Sequence, residues 1–195
     1  AVIAMLACSS IGAIWSSCSP DFGIKGVLDR FAQIEPKLLI TSDGYYYKGK
    51  SFSLRDKIKE ITNQLPSIEY VICADYINEE ISYHERLIKW PEVKDQNIEI
   101  DFEQMPFSHP LYIMYSSGTT GKPKSIVHSS GGTLLQHMKE LVLHTDLKRE
   151  DKIFYFTTCG WMMWNWLVSV LASEARIVLY DGSPFNPNKK TLFDI

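Results

Sequence analysis

The feature that most constrains this chain is a rhythm. Short apolar runs at residues 12–16, 38–40, 70–73, 111–115, 153–156 and 176–180 alternate with segments of helical spacing at 2–11, 25–34, 54–65, 131–144 and 161–171. In the second of those segments Val27, Leu28, Phe31 and Ile34 mark one helix face, and Pro36 ends it. Leu38-Leu39-Ile40 reads as a strand buried on both faces. Alternation of this kind predicts an α/β fold of layered, mostly parallel sheets with flanking helices. Residues 75–110 break the rhythm. They are charged and irregular and hold Pro91, Pro106 and Pro110, so a surface excursion with one short helix near 83–88 is expected.

Composition removes several classes of function. Hydrophobic residues make up 45% of the 195, enough for a sizeable core, and the formal net charge of -3 offers no basic field for nucleic acid. Cys8, Cys18, Cys73 and Cys159 form no CxxC pair and stand at no metal-ligand spacing with histidine, so no protein-held metal is expected and reduced thiols in the cytoplasm are. Residues 1–20 and 153–173 carry no charge. Serines break the first and Thr157-Thr158-Cys159-Gly160 the second, so each reads as buried helix and strand rather than a membrane span. The chain opens on Ala1 within an apolar segment and closes just after what reads as a helix start, so residues 1–195 are expected to be a fragment of a larger domain.

In parallel sheets ligands gather beyond the carboxyl ends of strands. Two connections there carry unusual chemistry, 116–124 and 157–161. The first reads Ser116-Ser117-Gly118-Thr119-Thr120-Gly121-Lys122-Pro123-Lys124 and is expected to lead from a strand into a helix. Glycines let a backbone approach an anion closely, and successive N–H groups then form a concavity for it. The hydroxyls of Ser116, Ser117, Thr119 and Thr120 can donate to phosphate oxygens, and Lys122 and Lys124 add positive charge. Only two residues separate the glycines and Pro123 follows Lys122, so this is not the phosphate loop of common nucleotidases, which argues against a simple phosphotransferase. A polar surface turn would use the same residue types, but their crowding on one connection favours an anion.

That nonapeptide resembles the signature loop of the adenylate-forming superfamily, which includes acyl-CoA synthetases, luciferases and peptide-synthetase adenylation domains. The segments Gly12 to Gly23, Pro36-Lys37-Leu38-Leu39-Ile40, Phe107-Ser108-His109-Pro110-Leu111, Thr158-Cys159-Gly160-Trp161-Met162-Met163-Trp164-Asn165-Trp166 and Asp181-Gly182-Ser183-Pro184 are similar to the branch that handles short acids such as acetate and acetoacetate. The resemblance implies an N-terminal AMP-binding domain without its C-terminal partner. It implies a reaction in two halves. A carboxylate, here expected to be acetoacetate, attacks the α-phosphorus of ATP and releases pyrophosphate; the thiol of coenzyme A then displaces AMP. Ser116, Ser117, Gly118, Thr119, Thr120, Gly121, Lys122 and Lys124 would hold ATP, with Lys124, Thr119 and Thr120 steadying the departing charge, and magnesium would accompany the nucleotide. His128 falls where the family often has a histidine, with a structural role as the alternative. Ser125 stands where most members have glycine.

By the same resemblance Trp161, Met162 and Met163 line the acid pocket, although a core helix would also use them, and Lys50, Tyr47 and Trp15 lie toward coenzyme A, where Lys50 is otherwise an ordinary surface lysine. Asn165 could meet a keto oxygen or be a buried amide satisfied by backbone. No Tyr-Gly-x-Thr-Glu segment is present, nor the family's ribose aspartate, hinge or C-terminal lysine, so residues 1–195 alone are expected to turn over little substrate. The alternatives are a ligase for another acid, such as acetate or propionate, and a non-catalytic nucleotide-binding module.

Overall fold

The computed structural model describes residues 1–81, 87–94, 99–116 and 121–194. Along the chain run α1 (Val2–Ser10), β1 (Trp15–Ser16), α2 (Ile24–Phe31), β2 (Leu38–Ser42), β3 (Gly44–Tyr47), β4 (Lys50–Ser53), α3 (Arg55–Gln64), β5 (Tyr70–Ala74), β6 (Leu87–Lys89), α4 (Trp90–Lys94), β7 (Pro110–Ser116), β8 (Lys124–Ser129), α5 (Ser130–Met138), β9 (Lys152–Phe154), α6 (Met162–Ser169) and β10 (Arg176–Val178). A π-helical turn, Lys139–His144, continues α5, and a 3-10 turn, Val170–Ser173, continues α6. The expected layering of helices on mostly parallel strands is present. These elements form two compact units.

The first unit comprises Ala1–Ser19 and Glu99–Tyr180. Its sheet has the order β1-β7-β8, with β1 parallel to β7 and β8 antiparallel to it. Strands β9 and β10 form a separate parallel pair. One core cluster gathers Met5, Tyr112, Trp164 and Val168; a second gathers Leu141, Leu147, Leu167, Val170 and Ala175. Helix α6 serves both, because Trp164 and Val168 are one turn apart on one face while Leu167 turns to the other cluster.

The second unit comprises Pro20–Ile98 and Asp181–Ile195. Here β2, β5 and β6 form a parallel sheet with β5 in the middle, and β3 and β4 form a separate hairpin. Val27 and Phe31 of α2 and Ile58 and Ile61 of α3 are buried. Asp43, fully buried between β2 and β3, accepts hydrogen bonds from the backbone N–H groups of Tyr76 at 2.8 Å, Ile77 at 2.9 Å and Glu79 at 2.8 Å.

Four expectations need correction. Leu38 is exposed, because β2 is an edge of its sheet; the doubly covered strand is β5, where Val71, Ile72 and Cys73 are buried. Leu87 and Ile88 lie in strand β6 rather than a helix, and the helical turn follows at α4; residues 83–86 of the expected helix lie outside the described residues. The β3–β4 hairpin is an element the sequence reading missed. Lys48 and Gly49, both with positive φ, make its two-residue turn, a geometry that matches the twist of paired strands. The fourth correction concerns the connection after β7. It leads into strand β8, not into a helix, so among the described residues no helix N-terminus follows it directly.

Candidate functional site

The connection from 116 to 124 is closed by the sheet itself. Ser116 pairs with Lys124, Tyr115 with Ser125 and Met114 with Ile126, so β7 and β8 bring the two ends of the nonapeptide side by side. Ser117, Gly118, Thr119 and Thr120 lie outside the described residues. Gly121, Lys122 and Lys124 are exposed, and neither lysine enters an ion pair among the described residues. A β-carbon added at Gly121 would meet no atom of the described residues within 4 Å, which leaves room there for a ligand. Hydroxyl donors and lysines in no ion pair among the described residues suit an anion. Among the described residues no group of three or more His, Cys, Asp or Glu could hold a metal ion.

His128 lies on β8 rather than a helix, opposite Tyr112, with the two rings 4.9 Å apart. Burial holds its pKa below the ordinary histidine value. Its packing partner is therefore a core tyrosine.

A second stretch converges on the same strand end. At the carboxyl end of β1, the Ser16 hydroxyl donates to the Ile113 carbonyl at 2.9 Å and shares a hydrogen bond of 3.2 Å with the Tyr115 hydroxyl. The next residue, Ser17, donates to the Cys159 carbonyl at 2.6 Å. Two successive serines thus tie the strand that feeds the 116–124 connection to the 157–161 connection. The sequence reading noted both connections but not this tie, because a serine's partner across 97 or 142 positions leaves no periodic trace.

The family model for AMP-binding enzymes matches residues 1–195. The chain belongs to the AMP-binding enzyme family. Acetoacetyl-CoA synthetase of Gallus gallus is 50% identical to it over 204 residues, covering 100% of this chain and 31% of that protein. Malonamoyl-CoA synthetase of Penicillium aethiopicum is 45% identical over 199 residues, covering 95% of this chain and 27% of that protein. The solved acetoacetyl-CoA synthetase from Streptomyces lividans superposes with a TM-score of 0.92 at 48% identity, covering 96% of this chain and 29% of that one. The chain thus spans about a third of the length of the relatives it matches.

In this AMP-binding domain the start of α6 separates surface from core. Trp161, the residue before the helix, is 66% exposed and Met162 is 46% exposed, while Trp164 and Asn165 are buried. The aromatic run therefore divides by role: Trp161, Met162 and the half-buried Met163 face outward where an acid could reach them, and Trp164 stacks on Trp15 at 6.3 Å between centroids. Asn165 donates to Met114 Sδ at 3.3 Å and lies 3.5 Å from the Trp161 carbonyl, so its amide links the start of α6 to β7. Its Oδ1 is buried without a hydrogen-bond partner among the described residues, so the expected amide satisfied by backbone is met on the donor side only in part and on the acceptor side not at all.

The residues assigned to coenzyme A divide between the units. Trp15 belongs to the first, half-buried against the Met5, Tyr112, Trp164 and Val168 cluster. Tyr47 and Lys50 belong to the second, exposed and directly paired at the end of the β3–β4 hairpin, with the Lys48 ammonium 5.4 Å from the Tyr47 ring centre.

Proposed function

We propose that this chain is the nucleotide-holding part of an ATP-dependent acid–thiol ligase that joins acetoacetate to coenzyme A, giving acetoacetyl-CoA, AMP and pyrophosphate. The observation that carries the proposal is the hairpin that sets Ser116 against Lys124 and leaves Lys122 and Lys124 exposed beside open space at Gly121. The names of its relatives at 48–50% identity support acetoacetate as the acid.

In this reading Ser116, Ser117, Gly118, Thr119, Thr120 and Gly121 present donors to the β- and γ-phosphates. Lys124, anchored by its strand, holds positive charge where the pyrophosphate departs; Thr119 and Thr120 donate to the same oxygens. Trp161, Met162 and Met163 present apolar surface to the acid, and the Ser16–Ser17 tie holds that surface against the nucleotide strand. Magnesium would arrive with ATP. Lys50, Tyr47 and Trp15 are proposed contacts of coenzyme A, and His128 is proposed to steady the nucleotide connection through Tyr112. The cytoplasm is the proposed compartment.

Lys124→Ala tests the assignment in the intact enzyme. Acetoacetate-dependent pyrophosphate release is expected to fall roughly 10²-fold, with the unfolding temperature unchanged because the side chain is exposed. Unaltered turnover would remove Lys124 from the site. A second reading, a ligase for a related short acid, is favoured by the 45% identity to a malonamoyl-CoA synthetase. Comparing adenylation rates with acetoacetate, malonamate, acetate and propionate separates the two.

A further inference from the structure

Two cysteines 141 positions apart in the chain lie on touching connections. The Cys159 thiol donates to the Cys18 carbonyl at 3.3 Å. The Ser17 hydroxyl holds the Cys159 carbonyl at 2.6 Å, so the two backbones are tied on both sides of the pair. At the neighbouring Gly160 a β-carbon would stand 3.8 Å from the Cys18 Cα. Both cysteines are half-buried rather than enclosed in a core. A disulfide asks for a Cα separation of roughly 4.4–6.8 Å, and the direct contact of the Cys159 thiol with the Cys18 backbone makes these two the cysteines to test for one.

The geometry points to Cys18 and Cys159 as a modification site, a thiol pair that a low-molecular-weight disulfide such as oxidised glutathione converts into a cystine. One thiolate attacks a sulfur of the small disulfide, forming a mixed disulfide and expelling one small thiol. The second cysteine, as thiolate, attacks the protein sulfur of that mixed disulfide and expels the other small thiol. Two electrons pass from the cysteine pair to the small disulfide, and the two cysteine protons end on the released thiols. The new bond joins the connection after β1 to the one that precedes α6. The other two cysteines lack this arrangement. Cys73 is buried in the second unit, where burial first and then the charges of Asp43 and Asp75 push its thiol up to about 12. Cys8 lies on α1, and burial raises its pKa.

The test uses the intact native protein, treated with oxidised glutathione, blocked with iodoacetamide, digested and mapped by mass spectrometry. The expected result is a linked peptide pair carrying Cys18 and Cys159, reversed by dithiothreitol, with Cys73 recovered in its alkylated form. In Cys18→Ser a glutathione adduct is expected to accumulate on Cys159, since no second thiol resolves it. Recovery of both cysteines alkylated, or of both carrying glutathione without a link, would overturn the proposal. The wild-type map decides even if the variant does not fold, and it reads no ligase activity, so it stands or falls separately from the proposed reaction.

Discussion

Asp43 shows how one side chain can organise a loop. Burial alone would raise its pKa, but N–H groups of Ile77, Glu79, Tyr76 and Gly44 directed at the carboxylate outweigh that and hold it below the usual carboxylate value. Removing the carboxylate leaves several donors without an acceptor in a buried place. Asp43→Ala is expected to cost about 3 kcal/mol, read as a lower urea midpoint of the intact protein. Next to it, a β-carbon at Gly44 would stand 2.5 Å from the Phe52 carbonyl oxygen, a backbone atom held in the hairpin. Gly44→Ala is expected to destabilise by roughly 1–3 kcal/mol, in the same assay.

At the scale of elements, β8 and α5 each bring a histidine inward. His137 on α5 is buried and shares a hydrogen bond of 2.8 Å with the Ser169 hydroxyl. Its pKa is lowered by burial first and by His128 second, with Glu140 opposing; that of His128 is lowered by burial. A histidine in the unfolded chain binds its proton near pH 6.5, about where these two resist it. Below that pH the unfolded state takes up more protons, so the stability due to the neutral rings is complete above about pH 6.5 and is lost as pH falls. The urea midpoint is expected to decline from about pH 7.5 to 5.5, and more shallowly in His137→Gln. On the π-helical turn that follows, fully buried Leu141 anchors the second cluster; Leu141→Ala is expected to cost about 3 kcal/mol, measured by thermal unfolding.

Those elements also show where sequence alone suffices. Helices α1, α2, α3 and α6 and strands β5, β7, β9 and β10 were legible because local periodicity reports the face each one buries. Strand β8 was not, since Lys124, Ser125, Ile126 and Val127 are all exposed and leave no alternation to read. The chemistry of the nonapeptide was legible from residue types alone, whereas its closure by an antiparallel partner depends on pairing. The split of α6 into an exposed start and a buried middle was open in the sequence, because methionine and tryptophan suit both settings.

For the whole molecule, the proposed ligase places its acid beside Trp161 and Met162 and its nucleotide beside Lys124, on connections that belong to one unit. Shortening an apolar wall there should change which acid is preferred. Met162→Ala in the intact enzyme is expected to move the ratio of kcat/KM values toward longer acids by about 10-fold, compared across acetoacetate and its longer homologues. An unchanged ratio would place the acid elsewhere.

The pairing of Ser116 with Lys124 also sets how this region can vary. Extra residues between those two positions would enlarge a noose whose knot stays tied, leaving each rung below it intact. Deleting one residue within Lys124–Ser129 instead turns the strand over, bringing Val127 or its neighbour onto Tyr112 in place of His128 and sending the histidine to the opposite side. Drift in length is thus affordable at the tip, and drift in phase along the stem is not.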